Sequence, residues 1–136
     1  MGFNYNTSTN VGSINITSSA TSYSTSSDYR LKENITPISG ALTKVAQLKP
    51  VNFKWKADNS DGQGFIAHEL AEVCPDAVVG TKDELDKDGN PKYQSIDTSF
   101  LVATLTAALQ ETKALIDTQA ETINALTARI VALEAK

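Results

Sequence analysis

The chain has 136 residues, enough for one domain or for one domain with extensions, and its 12 basic and 16 acidic side chains leave a net charge of −4. That mild acidic balance argues against a nucleic-acid groove, and no stretch approaches the ~18 apolar residues of a membrane span. A single cysteine excludes an intrachain disulfide and fits a reducing compartment, and the one histidine has no converging ligands, so no metal and no cofactor is expected.

Every charged side chain lies at or after Asp28. The preceding segment is built mostly of Ser, Thr and Asn, and its N-terminus has neither a basic segment nor an apolar run, so no signal peptide is expected. Within it, "VGSINITS" carries β-branched residues in imperfect alternation at Val11, Ser13, Ile14, Asn15 and Ile16, which predicts one or two short strands. Such a segment cannot by itself bury enough apolar surface to offset the entropy of ordering it. It is either a linker or a piece of a larger, intertwined β-structure.

The middle of the chain reads as globular. Ile38, Leu42, Val45 and Leu48 recur at helical spacing, and Pro50 ends that helix. "VNFKWK" alternates, with Val51, Phe53 and Trp55 on one face of a half-buried strand. "DNSDGQ" is predicted as a turn, and "GFIAHELAEVCP" as a short strand running into helix stopped by Pro75. Cys74, just before that proline, reads as a packing residue rather than a nucleophile. "AVVGT" is a further strand, and Asp88-Gly89-Asn90 connects to another at about 92–96. The acidic run "DELDKDGN" has neither the spacing nor the closing Glu of a calcium loop and reads as a solvated turn.

Residues 97–136 contain no Gly and no Pro and are predicted as one long helix, with Asp97, Thr98 and Ser99 offering N-caps. Val102, Leu109, Ile116, Ile123 and Ile130 recur every seven residues, and Leu105, Thr112, Gln119, Leu126 and Leu133 form the second series. That is an a/d heptad pattern, longer than the small middle domain can cover, so a self-associating coiled coil is expected. Ile at a with Leu at d leans towards a dimer, while Thr112 and Gln119 interrupt the seam; periodicity leaves dimer and trimer open.

The boundary itself, "SSDYRLKENI", offers chemistry. Ser27 and Lys32 are five residues apart, and a serine hydroxyl becomes a nucleophile when a neutral lysine amine takes its proton. The lysine must first lose its own proton, through burial or a neighbouring cation such as Arg30; Asp28 and Glu33 oppose this unless paired elsewhere.

The stretch has the order Ser-Asp-x-Arg-x-Lys-x-x-Ile, at Ser27, Asp28, Arg30, Lys32 and Ile35, followed by "FKW", "GFIAHE" and "YQSIDTSFLVATLTAALQE". Over residues 27–136 this resembles the peptidase S74 family, the C-terminal intramolecular chaperone domains of bacteriophage tail fibres, tail spikes and neck appendages. His68 stands where Gln is common in the family's "GFIAQE" type of segment. The resemblance implies an α+β fold: a β-rich fibre stub (1–26), a small mixed globular domain (27–96) and a C-terminal coiled-coil helix (97–136), assembled as a homotrimer. It implies self-cleavage of the Ser26–Ser27 bond, with Ser27 as nucleophile and Lys32 as general base. Asp28, Arg30, His68 and Glu69 are supporting candidates, for chain orientation or for holding the oxyanion. The implied partners are the chain's own copies and the upstream fibre segment, with no nucleic acid and no membrane. The implied place is the host bacterial cytoplasm during assembly, the fibre part then remaining in the virion tail. A non-cleaving trimerisation or adhesion module at a fibre tip, and a coiled-coil adaptor unrelated to phage, are the competing expectations.

Overall fold

The computed structural model describes residues 2–4 and 10–135, and the chain forms two compact units, residues 1–37 and 38–136. The first holds a three-stranded antiparallel meander, β1 (Gly2–Asn4), β2 (Asn10–Ile16) and β3 (Thr21–Thr25), in the order β1-β2-β3. β2 and β3 pair from Gly12↔Thr25 to Ile16↔Thr21. Their turn is closed by Thr17, whose N–H donates to the Ala20 carbonyl at 2.8 Å and whose hydroxyl accepts from the Ala20 N–H at 3.0 Å. At Gly12 a Cβ would stand 2.7 Å from the Ser24 carbonyl oxygen, so the close approach of the strands needs glycine there. Gly12 to Ile14 are half-buried, and every other residue from Val11 to Pro37 is exposed. The sequence pattern anticipated strand around Val11–Ile16 but not β3, whose "TSYST" has no apolar alternation.

The second unit begins with α1 (Ala41–Val45), shorter than the helix expected from Ile38 to Leu48. Gly40 adopts a left-handed φ of 69°, which cannot continue a helix, and the last turn tightens into i→i+3 bonds from Gln47 and Leu48 at 3.1 Å. β4 (Val51–Lys54) alternates as expected, with Val51 and Phe53 half-buried and Asn52 and Lys54 exposed, but Trp55, expected on the same half-buried face, lies beyond the strand and is exposed. It pairs antiparallel with β5 (Asp61–Gly64), and here the expected turn is a strand. Its glycines serve packing: a Cβ at Gly62 would lie 2.6 Å from the Phe53 ring. That ring in turn meets Trp55 edge-on, centroids 5.1 Å apart. The strand expected at "GFI" is thereby displaced to "DGQG", and the chain passes directly into α2 (Ala67–Val73).

After a 3₁₀ turn at Pro75–Ala77, β6 (Val78–Val79) pairs with β7 (Ser95–Ile96). The excursion between them is organised by Asp86, whose carboxylate accepts from the Asp88 and Asn90 N–H groups at 2.8 and 2.9 Å, and by the Lys92–Glu84 ion pair. Among the described residues no group of three or more His, Cys, Asp or Glu could hold a metal ion.

Asp97 caps a 3₁₀ turn at Thr98–Phe100 by accepting from the Ser99 N–H at 2.9 Å, and this turn leads into α3 (Leu101–Glu134), 34 residues long. The core is small and α3 closes both parts of it. Leu101 packs with Leu70, Cys74 and Ala77, while Ala107 and Ala108 pack with Ala41, with Val45 alongside. The small side chains at that second contact let α1 lie close to α3. The face of α3 that meets its own unit is therefore Leu101, Thr104, Ala107 and Ala108, spaced for one side of a helix. The a/d series lies beside it and faces outward: of those ten positions only Thr112 is half-buried and the other nine are exposed. From Lys113 to Ala135 every residue is exposed, about 35 Å of helix with no cover from its own chain. Among the described residues no helix is long and apolar enough to cross a membrane.

Candidate active site

The hydroxyl of Ser27 and the amine of Lys32 meet: Lys32 Nζ lies 2.7 Å from Ser27 Oγ. The local fold explains how residues five apart come together. Upstream, the Ser26 N–H donates to the Val11 carbonyl at 3.0 Å, extending the β2–β3 ladder to the residue before Ser27. Downstream, Asp28 caps a 3₁₀ turn at Tyr29–Leu31 by accepting from the Arg30 N–H at 2.9 Å. The Leu31 and Lys32 N–H groups close back on the Asp28 and Tyr29 carbonyls, both at 3.1 Å. This single tight turn reverses the chain and returns Lys32 to Ser27.

Arg30 holds Asp28 with a fork: Nε to Oδ1 at 2.9 Å and a terminal nitrogen to Oδ2 at 2.8 Å. The pair shifts both partners. The Arg30 side chain, and then its backbone N–H, hold the Asp28 carboxyl below its ordinary value, and Asp28 raises Arg30. Arg30 is thus not a bare cation beside Lys32. Asp28, which would oppose deprotonation of the lysine, is paired elsewhere. Both work as a brace for the turn.

Ser27 and Lys32 are exposed within the single chain. At 2.7 Å the contact suits either an ammonium donating to the hydroxyl oxygen or a neutral amine accepting the hydroxyl proton. The second form is the one that makes a nucleophile.

His68 and Glu69 belong to the second unit, in the first turn of α2, and both are half-buried. The Glu69 N–H donates to the Ile66 carbonyl at 3.0 Å. His68 lines a cavity of about 350 Å³ together with Lys82, Glu84, Lys92, Tyr93 and Gln94. Cys74 is a buried, free thiol in the core.

Two structural residues have no local signal in the sequence. Val11 anchors Ser26 across the sheet. Glu111, on α3, caps α1 from 70 residues away: its two carboxylate oxygens accept from the Ala41 N–H at 3.0 Å and the Leu42 N–H at 2.8 Å. The Leu42 and Ala41 N–H groups hold its carboxyl below the ordinary value. Gly40 at the N-cap has no side chain to offer, so the cap comes from another element.

The chain thus carries a strand ladder ending in a Ser–Lys contact, then a small mixed α/β unit with a long C-terminal helix. The chain belongs to the peptidase S74 family: residues 27–79 match the family model described as the chaperone of endosialidase, a family of self-cleaving peptidases. The match begins at Ser27. Two curated relatives are the long tail fiber proteins Gp37 of Enterobacteria phages K3 and T2, each 34% identical over 116 residues and 81% of this chain. The chain spans only 8% and 7% of the length of those relatives. A solved structure described as a novel intramolecular chaperon is 23% identical and superposes with a TM-score of 0.45 over 65% of this chain and 98% of its own.

Proposed function

We propose that this chain is the C-terminal intramolecular chaperone of a phage tail fibre, which gathers three chains, promotes folding of the upstream fibre and then releases itself by cutting between Ser26 and Ser27. The observation that carries the cleavage is the 2.7 Å Lys32–Ser27 contact, placed where the family match begins. The long tail fibre relatives supply the fibre context. In this reading residues 1–26 are the end of the fibre, 27–96 the globular peptidase and 97–136 the associating helix.

The chemistry follows from the arrangement. Neutral Lys32 takes the Ser27 hydroxyl proton, and Oγ attacks the Ser26 carbonyl carbon. The C–N bond breaks as the leaving nitrogen, the Ser27 amine, takes a proton. The Ser26 acyl group is then an ester on Oγ, which water hydrolyses to leave a Ser26 carboxylate and a chain beginning at Ser27. Attack within one chain has a high effective molarity. Anchoring of Ser26 on Val11, with the Asp28–Arg30 brace behind the turn, limits the motion of both reacting groups. A lysine is a base only when neutral, which desolvation favours. Assembly that covers the exposed Ser27–Lys32 segment would couple cutting to correct folding. Backbone N–H groups beside Ser27 and the Arg30 guanidinium are the oxyanion candidates.

Association through α3 explains the exposed a/d series, and Leu115 at a g position widens the apolar face beyond a two-stranded seam. From Val11 to Thr25 only Gly12 to Ile14 are half-buried, which fits strands that find their packing partners in other copies. Joining three chains raises the effective concentration of their upstream segments, which otherwise pair slowly and out of register. Cutting removes the tether and leaves the fibre held by its unfolding barrier. The assembly step is placed in the host cytoplasm, and the fibre part ends in the virion tail.

The test compares the wild-type chain with Ser27→Ala and Lys32→Ala on denaturing gels. Cleavage in the wild type and its loss in both variants is the expected result. Full-length chain in all three would assign the domain as a non-cleaving trimerisation module.

A further inference from the structure

Residues of β4, β5 and β7 together line a groove of about 460 Å³, with Phe53, Trp55, Phe65 and Ile96 as its apolar walls and Gln63 and Gln94 as its amides. None of the chain's 12 basic and 16 acidic side chains is among the lining residues. Phe65 and Ile96 pack against the buried cluster of Leu70, Cys74, Ala77 and Leu101, so the core fixes that wall, while Trp55 is 57% exposed. The Gln94 amide nitrogen donates to the Gly80 carbonyl at 3.2 Å, which orients the side chain. Its amide oxygen and the whole Gln63 amide have no hydrogen-bond partner among the described residues. β5 pairs with β4 and β7 with β6, and no other described strand pairs with either.

We propose that this groove is the client site of the domain and takes one extended, uncharged strand rich in Ser, Thr and Asn before that strand enters a fibre sheet. The proposal rests on the chaperone reading above and adds the site and the chemistry of what it holds. Residues 1–27 carry no charge and set isolated apolar side chains, among them Val11, Ile14, Ile16 and Tyr23, between hydroxyls and amides. The groove is the counterpart of that composition. Its apolar walls take the isolated Val, Ile and Tyr side chains, and its amides donate to and accept from Ser, Thr and Asn. A charged strand would lose hydration there and meet no opposite charge, so the groove selects against it. The outer edges of β5 and β7 offer backbone N–H and C=O groups, which an incoming strand pairs with whatever its side chains are. An extended peptide uses walls, amides and edges together, whereas a neutral oligosaccharide has no backbone to meet the edges. Occupancy keeps a waiting strand from pairing out of register, and its release is set by the stronger pairing it finds in the fibre.

The experiment titrates the full chain with a synthetic peptide of residues 10–25, "NVGSINITSSATSYST", and follows the fluorescence of Trp55, the chain's one tryptophan, since the peptide has none. A saturable shift is expected. The same peptide carrying Ile14→Lys and Ile16→Lys is expected to bind at least about tenfold more weakly, because two charges must be desolvated. Gln63→Lys in the full chain puts a charge into the groove at an exposed side chain, and is expected to weaken binding of the unaltered peptide on the order of tenfold while leaving the Tm unchanged. No saturable shift, equal binding of the two peptides, or undiminished binding by Gln63→Lys overturns the proposal. So does a shift with a neutral dextran oligosaccharide that the peptide cannot displace, or a Gln63→Lys chain whose sedimentation changes while its peptide binding does not, which assigns the groove to a second copy. Cleavage is read on the same samples by denaturing gel. A chain that cuts at Ser26–Ser27 and ignores the peptide overturns the client site alone, and one that binds the peptide with the expected selectivity but stays whole supports the client site and contradicts the peptidase reading.

Discussion

Leu101 and Leu109 lie about two turns apart on the same helix, and each is predicted to fail in a different way when truncated. Leu101 is 4% exposed, packed among Leu70, Cys74 and Ala77, while Leu109 is 72% exposed on the a/d face. Leu101→Ala removes a buried isobutyl group and leaves a cavity, at a cost of about 3 kcal/mol or more. In a unit of this size that is a Tm fall on the order of 10–20 °C, present at every protein concentration. Leu109→Ala removes a side chain that is mostly exposed within the chain and shifts the unassembled Tm by less than about 0.5 kcal/mol would. In the proposed trimer, however, each of three copies would lose roughly 1.5–3 kcal/mol of apolar burial, so association is expected to weaken on the order of a thousandfold or more. Thermal melts over a concentration series separate the two, because assembly makes Tm concentration-dependent and core packing does not. The reasoning is refuted if Leu109→Ala lowers the dilute-limit Tm as much as Leu101→Ala, or leaves sedimentation unchanged.

Gly62→Ala drives a methyl into the Phe53 ring and is expected to cost about 1–3 kcal/mol. The chain's one tryptophan, Trp55, meets that ring edge-on, so its fluorescence shifts with the same transition. Glu111→Ala uncaps α1 and lowers the Tm at neutral pH. The Glu111 carboxyl sits below its ordinary value of 4.5, so its stabilisation is present above that pH and is lost as pH falls through the depressed value. Melts from neutral to acid should therefore converge for wild type and variant at low pH. Asp28 follows the same sign: its brace is intact above its ordinary 3.8 and released as pH falls through the lowered value. A carboxyl-resolved NMR titration should show Asp28 depressed, and Arg30→Ala should return it towards normal.

The residues that sequence made legible are those whose partners are near in the chain. Ser27 and Lys32 are five apart, and one turn brings their side chains into contact. The heptads of α3 are read from period alone, and the helix runs unbroken through them. Legibility ended where a residue's conformation is set at a distance. "DGQG" carries turn residues, yet forms β5 because Phe53 across the pair needs the space that glycine leaves. α1 stops short of the expected span because of Gly40's backbone, and its cap comes from Glu111 on a helix 70 residues later. β3 had no signal, since a polar strand whose residues are all exposed has no alternation to display. Arg30, a candidate cation for Lys32 in the sequence, is held by a fork to Asp28.

The claim that this chain cuts itself is tested most directly by the intact mass of the purified protein. The account predicts a fragment whose mass is that of residues 27–136 with a free amine on Ser27, and its absence in Ser27→Ala. A single species at the full-length mass in both proteins, or a new N-terminus at any other residue, would contradict it.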